Sequence, residues 1–74
     1  MEIAPGIEAS GNVHFGKPVI KNTRVPVELI IGKLASGMSF DDIIKEYEIT
    51  RQDILAALKY ASQLISTEEV KAII

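Results

Sequence analysis

Residues 40–64 read FDDIIKEYEITRQDILAALKYASQL. Apolar residues recur here at helical spacing: Ile43 and Tyr47 first, then Ile54, Ala57, Leu58 and Ala61, with Ile49 between the two sets. That rhythm predicts two amphipathic helices, Phe40 to Tyr47 and Arg51 to Leu64, joined only by Glu48-Ile49-Thr50. Two helices linked by so short a turn read as a helix-turn-helix.

The helix starts are marked by a pattern that occurs three times. Met38-Ser39-Phe40-Asp41-Asp42-Ile43, Ile49-Thr50-Arg51-Gln52-Asp53-Ile54 and Ile65-Ser66-Thr67-Glu68-Glu69-Val70 each place a hydroxyl residue after an apolar one, with an acid three residues later. This is a capping box combined with a hydrophobic staple. The hydroxyl satisfies a free backbone N–H, and the acid meets the positive end of the helix dipole. The third occurrence predicts a further helix from Thr67 to Ile74. Its spacing differs from the others, so the pattern is not an internal repeat.

Upstream, Val27, Ile30, Ile31, Leu34 and Ala35 form one apolar stripe, which predicts a helix from Val27 to Ser36. Pro26 is placed to open it, and Gly37 to end it in a left-handed conformation. Residues 1–26 carry most of the turn chemistry: Pro5-Gly6, Gly11-Asn12, Gly16, Pro18, Asn22 and Pro26. The runs between these are too short for helices, and Gly11-Asn12 suits a hairpin turn with positive φ at its centre. The expectation is a mainly α fold. It comprises a β-rich arm over 1–26, a helical core over 27–65 with the helix-turn-helix at 40–64, and a C-terminal helix over 66–74.

With 74 residues, one domain is expected, and a chain this small buries only about 60% of the surface it exposes when unfolded. Cysteine is absent and His14 is the single histidine, which removes disulfides and makes a protein-only zinc site improbable. Oligomerisation remains as the means of adding stability. At 47% hydrophobic residues the chain is rich enough for a core, yet no apolar run approaches membrane-spanning length. MEIAPGIE lacks the basic and apolar regions of a secretory signal, so a cytoplasmic location follows by default. Net charge is −2, with four basic against three acidic residues in 1–37 and four against seven in 38–74. A nucleic-acid binder ordinarily has a clear basic excess on one face, which this chain has to gain by clustering or by pairing two copies.

Several constellations resemble functional sites. Gly11, Gly16 and Lys17 have P-loop spacing, but Pro18 stands where the motif needs Ser or Thr and a helix start, so the motif is rejected. His14 has no nucleophile or orienting acid to work with, and Asp41-Asp42 diverge around a helix as neighbours do; no enzyme chemistry is expected. Arg24, just before the first helix, has two readings. It can fork onto a phosphate, or it can tie the arm to the helices through Asp41, Asp42 or Glu46, and the structural role is the preferred one. Thr50, Arg51 and Gln52 open the second helix of the helix-turn-helix, where such modules meet base edges: arginine can fork onto guanine, glutamine onto adenine. The next outward positions, Leu55 and Ala56, instead suit a protein interface. Both readings stand. Val70, Ile73 and Ile74 line one side of the last helix, which is too short to be stable alone and has to dock on its own core or on a partner.

Residues 16–61, GKPVIKNTRVPVELIIGKLASGMSFDDIIKEYEITRQDILAALKYA, resemble the domain-of-unknown-function 433 family (DUF433). The family pattern runs Gly-x-Pro-x-Ile-x-Gly-Thr-Arg-x-Pro-Val, then a helix, a Gly-Met/x-Ser/Thr turn, an acidic helix, and a helix ending in Ala-Leu-x-Tyr-Ala. Asn22 replaces the usual glycine, and asparagine also tolerates the left-handed conformation. The resemblance implies a homeodomain-like three-helix bundle and a VapB-like antitoxin paired with a PIN-domain ribonuclease toxin. Such an antitoxin forms a homodimer, binds operator DNA and blocks the toxin. On that view Thr50, Arg51 and Gln52 contact DNA, Lys17, Lys21, Arg24 and Lys59 approach phosphates, the arm pairs across the dimer, and the helix from Thr67 engages the toxin. The alternative is a small dimeric protein-interaction module with no DNA role. No cofactor is implied.

Overall fold

The computed structural model describes residues 1–66. The expected C-terminal helix, with Val70, Ile73 and Ile74, lies outside them. Strands β1 (Glu2–Ala4), β2 (Ile7–Glu8) and β3 (Val19–Ile20) form an antiparallel sheet in the order β1-β2-β3. They are followed by α1 (Val27–Ala35), α2 (Phe40–Tyr47) and α3 (Arg51–Ser66).

Local chemistry accounts for the helix limits. The Ser39 hydroxyl accepts from the Asp42 N–H at 3.1 Å and so caps α2. At α3 the box is reciprocal: the Asp53 N–H donates to Thr50 Oγ1 at 3.1 Å, and the Thr50 N–H donates to Asp53 Oδ2 at 2.9 Å. Gly37, at φ 99°, ends α1 as expected, with its N–H on the Leu34 carbonyl and the Met38 N–H on that of Lys33, both at 3.0 Å. Pro26 stands one residue ahead of α1, and α3 is helical through Ser66, the last described residue, whose hydroxyl donates back to the Gln63 carbonyl.

The expected architecture, a mainly α homeodomain-like bundle carrying a hairpin arm, is corrected by the sheet. Its three strands make this a small α+β fold. Ile7 and Ile20 are fully buried and share one core with Val27, Ile30, Ile43, Ile49, Ile54 and Ala57. The strands are therefore one wall of the core, because α3 packs against β2 and β3 as well as against α1 and α2. The hairpin turn also moves. Pro5-Gly6 joins β1 to β2, with Gly6 at φ 78°. Gly11-Asn12 closes only an isolated Ser10–Val13 bridge, and the positive φ expected there falls instead on His14 and Phe15, at 48° and 55°. For L residues each such conformation costs about 1–2 kcal/mol.

β3 returns through Lys21-Asn22-Thr23-Arg24, where Asn22 takes φ 63° and its N–H donates to Glu8 Oε1 at 3.0 Å. The asparagine thus fills the glycine position of the turn. Thr23 Oγ1 donates to the Ile20 carbonyl at 2.7 Å and accepts from the Val25 N–H at 3.0 Å, so this threonine sets the approach to α1.

Candidate functional site

The α2–α3 connection is built from three residues with separate tasks. Glu48 adopts the left-handed conformation, φ 54° and ψ 44°, and reverses the chain. Ile49 is buried and anchors the turn in the core. Thr50 caps α3. The result holds the first turn of α3 at the surface, with Thr50, Arg51 and Gln52 all exposed. The Arg51 guanidinium lies 4.9 Å from the ring centre of Phe40, a cation–π distance, so its side chain rests on the start of α2.

Further along α3, Lys59 is exposed, as are Leu55 and Leu58 at 44% and 37%. Here two expectations exchange places. Leu58, expected in the core, faces outward. Ala56, expected outward, is half-buried over the β1–β2 turn, where a Cβ placed on Gly6 comes to 3.0 Å from the Ala56 Cβ. The sheet occupies the side of α3 that a purely helical fold leaves open.

The remaining basic residues are distributed around the domain. Lys17 Nζ donates to Glu28 Oε1 at 2.9 Å and Lys21 Nζ to Glu2 Oε1 at 3.1 Å, both in exposed ion pairs. Arg24 is exposed and, among the described residues, forms no ion pair, so the expected link to Asp41, Asp42 or Glu46 is not made. Its carbonyl accepts from His14 Nε2–H at 2.8 Å. Arg24 lines an open depression with Tyr47, the last residue of α2, which brings it towards the helix-turn-helix connection.

Two features escaped the sequence reading. Phe15 is 99% exposed on its left-handed turn. A groove of about 560 Å³ runs between α1 and α3, lined by Pro18, Val27, Ile31, Gly32, Tyr60 and Leu64. The available signals were a glycine inside an otherwise regular helical stripe and an aromatic residue set among turn formers. Among the described residues, no helix is long and apolar enough to cross a membrane.

Compared with known proteins, residues 7–61 match the model of one family, described as "Protein of unknown function (DUF433)". No curated protein and no solved structure matches the chain.

Proposed function

We propose a function for this chain from one established premise: it belongs to the DUF433 family, whose model spans most of its length. The proposed role is that of an antitoxin-like protein in a type II toxin–antitoxin pair of the VapBC kind. As a homodimer in the cytoplasm it binds operator DNA, represses its own operon and restrains a PIN-domain ribonuclease. The antitoxin part rests on the family resemblance carried by Thr23-Arg24-Val25-Pro26-Val27. The DNA part rests on one observation, the exposed leading turn of α3 bearing Thr50, Arg51 and Gln52 after a three-residue connection. Side chains so placed can reach base edges, while Lys59 and Arg24, both exposed, can approach phosphates. Lys17 and Lys21 are held only by exposed ion pairs, worth about 0–1 kcal/mol, from which a phosphate can draw them.

A second reading, a protein-interaction module without DNA, is favoured by Leu55 and Leu58. These lie exposed on α3 just beyond the proposed base-contacting residues. An apolar pair there matches a protein partner better than a phosphate-lined groove. One titration separates the two. Binding to a DNA fragment from upstream of the gene is measured against salt for the wild type and Arg51→Ala. The DNA reading requires affinity that falls steeply with salt, and a loss of about 1–3 kcal/mol on substitution. No binding at low salt, or no effect of Arg51→Ala, leaves the second reading.

A further inference from the structure

Phe15 is the most exposed large apolar residue described, and the backbone that presents it is strained at two consecutive positions, His14 and Phe15. The turn is nevertheless well tied. The Gly16 N–H donates to the Val13 carbonyl at 3.0 Å, the Lys17 N–H to that of His14 at 3.1 Å, and His14 Nε2–H to that of Arg24 at 2.8 Å. Strain in so firmly held a segment serves to aim a side chain that is 99% exposed.

The α1–α3 groove shows the complementary feature. Gly32 sits inside α1, where glycine is the poorest helix former after proline, and a Cβ there would meet nothing within 4 Å among the described residues. Among the described residues, no packing demands a glycine at this position. Its effect is to deepen a groove whose walls are almost wholly apolar. Lys17 and Pro18, which line the groove, follow Phe15 by two and three residues, so the knob is tethered within a few residues of the groove's edge. An isologous dimer requires a self-complementary surface, and an exposed knob tethered near an apolar groove supplies both halves of one.

We propose that the groove is occupied by Phe15 of a second copy of this chain, the two copies exchanging phenylalanines about a twofold axis. A phenylalanine buries about 150–250 Å². Two of them, with the groove surface they cover, supply about half of a standard interface of about 1,600 Å². Exposed Leu64, in the groove wall, and exposed Ile65 beside it extend the contact. This assigns a surface to the homodimer of the proposed function and rests on that element of it alone. Neither Arg51 nor Gln52 takes part, so failure of the dimer and failure of DNA binding are separately measurable.

The test is sedimentation velocity over a concentration series on the full chain, with circular dichroism confirming the fold of each variant. The wild type is expected to dimerise. Phe15→Ala removes the knob, and Gly32→Leu fills the groove at a position that accepts a side chain and favours helix. Each variant alone loses both contacts, and its dissociation constant is expected to rise at least about 100-fold. An equimolar mixture of the two restores one contact, since one chain keeps the groove and the other keeps the knob, and is expected to associate more tightly than either variant alone. A wild type that stays monomeric throughout, variants that dimerise like the wild type, or a mixture no better than its components overturns the proposal.

Discussion

Arg51 and Phe40 are the first residues of α3 and α2, and the guanidinium of one lies 4.9 Å from the ring centre of the other. The contact joins the two helix starts and limits where the Arg51 side chain can point. A double-mutant cycle with Phe40→Leu and Arg51→Ala is expected to give a coupling of about 0.5–1 kcal/mol in urea denaturation. Strict additivity would mean that the stacking contributes nothing.

The connection between those helices contains one residue that is well chosen for its conformation and one that is not. Thr50→Ala removes the cap of α3 and is expected to cost about 1 kcal/mol. Glu48→Gly has the opposite sign: it relieves a left-handed L residue, about 1–2 kcal/mol, against the greater freedom of glycine in the unfolded chain, about 0.5–1 kcal/mol. A net gain of about 0.5–1 kcal/mol in denaturation midpoint analysis is expected. A loss on replacing Glu48 would show that its side chain has a stabilising contact that outweighs the strain.

Gly6 is where the sheet meets α3. Its φ of 78° and the 3.0 Å approach of a built Cβ to Ala56 both oppose any larger residue. Gly6→Ala is therefore expected to destabilise by about 2–3 kcal/mol, combining backbone strain with a forced displacement of α3. Ala56→Gly in the same background removes the close contact and is expected to act less than additively with it, leaving the strain behind. Full additivity would place the whole cost in the backbone.

Glu2 closes the other side of the same turn. The Gly6 N–H donates to its carboxylate at 2.8 Å and Lys21 Nζ at 3.1 Å, and these contacts, the backbone one foremost, hold its pKa below the ordinary value of 4.5. A depressed folded-state pKa stabilises the fold above the unfolded-state value, and that contribution is lost as pH falls through the folded-state value. The stability difference between wild type and Glu2→Gln is expected to be constant from neutral pH to about pH 5, within the range where both states are largely ionised, and to shrink below it. A pH-independent difference would remove Glu2 from the acid response.

Interactions closed within a few residues were legible in the chain before any folding was considered. The hydroxyl caps at Ser39 and Thr50, the left-handed stop at Gly37, the Asn22 turn and the three-residue link between α2 and α3 depend on neighbours that travel with them. Family membership was legible for the same reason, being carried by the contiguous run through Thr23-Arg24-Val25-Pro26-Val27. Tertiary structure alone decided which short extended runs became strands, because two or three residues carry no periodicity and acquire a face only when paired. Ile7 meets Ile20 across thirteen positions of chain, and burying that pair under α3 turns a presumed arm into a wall of the core. The same event turns Ala56 inward and leaves Leu58 outside. It also leaves Phe15 99% exposed, on a strained turn between β2 and β3. Hydrogen bonds between neighbours are determined by order along the chain; burial is a competition among surfaces, and it is settled only when all of them are present.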